Sequence, residues 1–142
     1  MRLPLYICGA VGSALLLTDP AAAKLVVVQI VDLTEMAMST EGGEATLYRV
    51  QDTKPAVCKI EAIHYGETGK SIHVFDFGAK LLDAELSEYR YKTPLNVDPK
   101  AKSILSRKLT LDSREGREKL TAEFEKYKSL FDAGNLAKCL GS

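Results

Sequence analysis

Neither sign of charge predominates in this chain. Lys and Arg number 19, Asp and Glu number 19, and the formal net charge is 0. A nucleic-acid binder normally carries a basic face, and electrostatic docking on anionic lipid needs a cationic excess, so neither partner class fits this balance. The chain also has no internal repeat, no low-complexity block and no long linker, which leaves no obvious domain boundary. Histidine is scarce. His64 and His73 are the only two, too few by themselves for a zinc site, which takes three or four protein ligands.

A membrane-spanning run is missing as well. LPLYICGAVGSALLL, residues 3 to 17, is apolar, but it falls short of the ~20 residues that cross a bilayer before Thr18, Asp19 and Pro20 interrupt it. Preceded by Arg2 and followed by Ala21, Ala22 and Ala23, it has the tripartite pattern of a cleavable secretory signal over residues 1–23, with cleavage between Ala23 and Lys24. Cys8 sits inside the apolar run rather than after it, which argues against a lipid-modified cysteine. The expected product is a periplasmic or secreted single domain, residues 24–142, without a stable membrane span. Export leaves Cys58 and Cys139 in an oxidising compartment, and one disulfide between them is the economical expectation. Closing so long a loop would stabilise the fold by roughly 4 to 5 kcal/mol through the unfolded state.

The stretch HYGETGKS, residues 64 to 71, ends like a phosphate-binding loop. Such a loop needs glycine where His64 stands, and a helix after it whose amides hold phosphate. The chain instead continues with IHVFDF, residues 72 to 77, a β-branched and aromatic strand signature. The stretch therefore reads as a hairpin turn over Gly66 to Gly69. The implied register sets Cys58 opposite Phe77, Ile60 opposite Phe75, Ala62 opposite His73 and His64 opposite Ser71 on a mostly apolar face. The other face pairs Lys59 with Asp76, a cross-strand ion pair, and Ile63 with Ile72. A slip of one residue would separate the histidines and lose the ion pair.

In that register His64, His73 and Ser71 share one end of the inner face. Three roles are open to them: ordinary polar residues at the wetter end of a core, part of a metal or hydrolytic site, or a protonation switch, since two adjacent imidazoliums repel. No third metal ligand is evident nearby, Asp76 faces away from Ser71, and no turn resembles a nucleophile elbow.

Elsewhere, KLVVVQIVDL (residues 24 to 33) reads as a strand covered on both sides, TEGGEA (40 to 45) as a loop and TLYRVQ (46 to 51) as a second strand. Residues 79 to 87 fit either a short helix or a strand with a bulge near Ser87, and EYRYK (88 to 92) an ordinary strand with one aromatic face. Asp98 and Pro99 resemble a helix start, with Ala101, Ile104, Leu105 and Leu109 near one stripe, although SILSRKLTL also reads as a strand. Asp112 with Glu115 resembles a capping box. It opens a helix whose Leu120, Phe124, Tyr127 and Phe131 form an apolar stripe opposite a charged face that includes Glu123, with Gly134 as its stop.

The expected fold is α+β: an antiparallel sheet of about four or five strands, covered on one face by one or two C-terminal helices. The expected function is that of a small exported, non-catalytic module without a cofactor, binding a protein or other envelope component as an inhibitor or accessory unit. The alternative is a metal-dependent or hydrolytic enzyme centred on His64, His73 and Ser71.

Overall fold

A computed structural model describes residues 24–141; the expected signal, residues 1–23, and its cleavage point lie outside the described residues. The fold is α+β. Strands β1 (Leu25–Asp32), β2 (Gly43–Val50), β3 (Val57–Tyr65), β4 (Gly69–Phe77), β5 (Leu81–Tyr91) and β6 (Ser103–Thr110) precede helices α1 (Arg114–Lys128) and α2 (Ala133–Cys139). The strands form one antiparallel meander in the order β1-β2-β3-β4-β5-β6. Each strand thus pairs with its neighbour in sequence, which short turns permit without a crossover.

The hairpin of β3 and β4 has the register that alternation requires, with Ala62 opposite His73, His64 opposite Ser71 and Lys59 opposite Asp76. The turn is closed by Gly66 N donating to the Gly69 carbonyl at 2.9 Å. Gly69 permits close strand approach: a Cβ there would run into the Tyr89 carbonyl of β5. On the uncovered face, Lys59 Nζ lies 2.8 Å from Asp76 Oδ1.

The covered face holds the core. Leu47, Cys58, Ile60, Phe75, Phe77 and Leu86 are buried beneath Leu120, Phe124, Tyr127 and Phe131, as the helical spacing demands. Phe124 meets Phe75 and Phe77 with ring centroids 5.7 and 5.1 Å apart, favourable tilted contacts. Complete burial of each such side chain contributes about 1.5–3 kcal/mol. Cys58 and Cys139 are bonded, with Cα atoms 5.8 Å apart, and join α2 to β3. Among the described residues no helix is long and apolar enough to cross a membrane.

Several elements differ from expectation. Among the described residues the sheet has six strands, because residues 103 to 110 pair with β5 instead of coiling. Asp98 closes a turn: its Oδ1 accepts from Lys100 N and its carbonyl from Ala101 N, each at 3.0 Å. The weak stripe is overridden by a ladder on a free strand edge, leaving Ile104 and Leu105 exposed and Leu109 buried. Residues 81 to 91 form one strand, yet its bulge is at Leu82, between the pairs Asp76–Asp83 and Phe77–Leu81, not near Ser87. A second bulge, at Ser106, belongs to β6.

Among the described residues β1 is an edge strand, not a central one. Val31 and Leu33 are buried, whereas Leu25, Val27 and Ile30 are 40%, 51% and 58% exposed. The first strand of a meander has a neighbour on one side alone, whatever its composition. α2 touches its covered face, where Gln29 Oε1 accepts from Asp132 N at 3.0 Å and Asn135 Nδ2 at 2.9 Å. The cap of α1 is Ser113, one residue after Asp112; its Oγ accepts from Gly116 N at 3.0 Å. Glu115 reaches Arg107 instead of the cap. The helix ends at Lys128, with Ser129 N bonded to the Glu125 carbonyl, so Gly134 lies inside α2 and is not the stop.

Candidate functional site

Side-chain alternation on β3 and β4 brings His64 and His73 onto the covered face, as diagonal neighbours with ring centroids 5.8 Å apart. α1 crosses this end of the sheet and lowers Tyr127 between them. Tyr127 is 4% exposed and His73 6%, so each polar atom must find a partner inside the protein. Tyr127 Oη lies 2.5 Å from His64 Nε2 and 3.5 Å from His73 Nδ1. His73 Nε2 lies 3.0 Å from Glu123 Oε2, one helical turn before Tyr127. The four side chains form a continuous chain from β3 through α1 to β4 and back to α1.

Burial is the main influence on their protonation. It pulls the His73 imidazole down to about 4, helped by His64, Lys119 and Lys126 and opposed by Glu88. His64 is lowered too, by burial and then by Lys126, with Glu123 opposing. Burial raises the Glu123 carboxyl, although Lys119, Lys126 and His64 draw it back. It also raises the Tyr127 phenol, in the same direction as the nearby Glu123 charge. Near neutral pH the His73–Glu123 contact is therefore a hydrogen bond donated by a neutral imidazole, not an ion pair. With Glu123 ionised, the chain has one consistent proton order: His64 Nε2–H donates to Tyr127, Tyr127 O–H to His73 Nδ1, and His73 Nε2–H to Glu123.

Ser71 stands opposite His64 in the ladder. It lines a surface cleft of about 390 Å³ with His64, Tyr65, Lys70, Glu88, Tyr89 and Arg90, but among the described residues its hydroxyl bonds neither histidine. His64 therefore joins the buried chain to the cleft. At the mouth, Lys70 Nζ lies 5.5 Å from the Tyr89 ring centroid. Glu88 lies 3.9 Å from Arg107, whereas Lys70 and Arg90 have no ion pair among the described residues. Also among the described residues, no three His, Cys, Asp or Glu side chains are gathered to hold a metal ion. Cys58, farther along the face, is occupied by Cys139.

The hairpin pattern locates His64, His73 and Ser71 together. It does not identify Glu123, which reads as part of the solvated face of α1, or Tyr127, which reads as part of the apolar stripe. Their spacing of one helical turn is a usable signal, but which strand α1 crosses is a tertiary property. Comparison with known protein families, curated proteins and solved structures finds no match to this chain.

Proposed function

We propose that this protein is a small exported, non-catalytic binding module that receives an anionic group of a protein or other envelope component in the cleft beside the β3–β4 turn. The observation that carries this reading is the division of labour at that end of the sheet. His64, Tyr127, His73 and Glu123 are turned inward and bonded to one another. At the cleft, Arg90 and Glu88 stand on the face of Ser71, whereas Lys70 stands on the other face between its cross-strand neighbours Tyr65 and Tyr89; Lys70 and Arg90 have no ion pair among the described residues. A cation flanked by aromatic rings, as Lys70 is, suits recognition of a carboxylate or phosphate next to apolar surface. The disulfide and the absence of a membrane-crossing helix among the described residues are compatible with export.

The test is capture from an envelope fraction on immobilised protein, with the Lys70→Glu/Arg90→Glu variant in parallel. A partner retained by the parent and lost at least tenfold by the variant, while circular dichroism is unchanged, supports the reading. Equal retention by both proteins contradicts it.

A histidine-centred hydrolase is the second reading, favoured by the unbroken His64–Tyr127–His73–Glu123 chain, which could relay a proton to the cleft beside Ser71. It differs in its mutants. Ser71→Ala should abolish hydrolysis of ester probes if the reading holds, and should leave partner capture unchanged if the binding module is right.

A further inference from the structure

We infer that the exposed edge of β1 is a self-association surface on which a second copy of this chain adds antiparallel, continuing the sheet across a two-fold axis. The inference is independent of the cleft and the histidine chain, because β1 lies at the end of the sheet order and the β3–β4 turn does not.

The backbone geometry supports it first. In an antiparallel ladder alternate residues direct their N–H and C=O groups to the neighbouring strand, and those between point away. Leu33 N donates to the Gly43 carbonyl, and Gln51 N donates to the Lys24 carbonyl, so both ends of β1 are aligned inward on β2 at Lys24 and Leu33. Counting from either end, the outward-facing groups belong to Leu25 and Val27, and to Ile30 and Asp32. The parity change between these sets is absorbed at Val28, where the register with β2 shifts. The bulge thereby centres the outward row. Val27 of one copy can face Ile30 of the other while Ile30 faces Val27, each pair exchanging both backbone hydrogen bonds. This self-complementarity is what an isologous interface requires.

Side chains point the same way. Three of the four residues with outward-facing backbone carry the exposed apolar groups of this strand, Leu25, Val27 and Ile30, and the fourth, Asp32, closes the row. Pairing in this register would merge the two apolar rows into one strip on the uncovered face. Edge strands are commonly defended by lysine, proline or inward-pointing charge. β1 contains no lysine and no proline, and its one charged residue, Asp32, stands at its end. The opposite edge, β6, carries Arg107 and Lys108, so the two edges are not equivalent. A net charge of 0 removes the overall repulsion between two copies.

Sedimentation velocity on the protein recovered after expression of the full chain tests the inference. A concentration-dependent dimer is expected, lost in Val27→Lys and retained in Leu105→Lys on the other edge. Hydrogen exchange keeps the test decisive if Val27→Lys fails to fold. The Val27 and Ile30 amides of the parent should become at least tenfold better protected as concentration rises. A monomer at all soluble concentrations would overturn the inference. So would dimerisation that survives Val27→Lys, or protection of these amides that does not depend on concentration and appears only when residues 1–23 are present.

Discussion

Tyr127 bridges two imidazoles by a single hydroxyl, and removing that oxygen should be felt directly. In Tyr127→Phe the ring still packs on Phe75, but His64 Nε2 and His73 Nδ1 lose their partner. A loss of about 1–3 kcal/mol is expected for leaving buried polar atoms unsatisfied, measured by urea unfolding at pH 7. His73 governs the pH response. The groups facing it are His64 on β3, Glu88 on β5, and Lys119, Glu123, Lys126 and Tyr127 on α1. Its folded value of about 4 lies below the ordinary 6.5, so between these pH values the unfolded chain binds a proton that the folded protein refuses. Its contribution is complete above pH 6.5 and is lost as pH falls through 4, by up to ~3 kcal/mol. His64, also lowered, acts in the same direction. Glu123 is raised from 4.5, so its contribution is present below pH 4.5, is lost as pH rises through its folded value, and offsets part of the histidine effect. Urea midpoints should fall between pH 7 and pH 4.5. An unchanged midpoint would contradict the burial of His73. The pairing of His64 with His73 is legible in the sequence because alternation on two adjacent strands is local geometry. Glu123 is not, because a carboxylate on a charged helix face looks solvated until the helix is docked.

At the level of elements, helix α1 illustrates how a local signal can be right in kind and displaced in position. Ser113, not Asp112, caps it. Ser113→Ala should therefore cost about 1 kcal/mol and Asp112→Ala considerably less, a contrast readable in thermal unfolding. Ser and Asp are comparable caps by propensity. The Gly116 amide that Ser113 caps lies against β6, so close that a Cβ on Gly116 would overlap the Thr110 carbonyl. An external influence explains β6. Ala101, Ile104, Leu105 and Leu109 carry a weak helical stripe, and the free edge of β5 outcompetes it. The β3–β4 hairpin shows the opposite case. Its register is readable because each side chain, from the Lys59–Asp76 ion pair to the inner aromatic rows, agrees with one alignment.

For the whole molecule, the bond from Cys58 to Cys139 spans 81 positions and links the third strand to the last helix. Replacing both cysteines by alanine should lower stability by roughly 4 kcal/mol through the freed unfolded chain. The check is the urea midpoint against the oxidised parent, and a change below ~1 kcal/mol would deny the bond its structural role. The loss should leave α1 and its aromatic contacts in place, since α2 rather than α1 carries Cys139.

By itself the amino-acid order determined the β3–β4 register, the α+β class, the buried stripe of α1 and the pairing of Cys58 with Cys139, because each rests on alternation, helical periodicity or the scarcity of cysteine. Only the tertiary structure decided that β1 is an edge, that residues 103 to 110 form a strand, and that Glu123 and Tyr127 complete the histidine chain. These depend on which surfaces meet across long stretches of chain, and side-chain periodicity within one segment carries no information about the surface on which that segment will land.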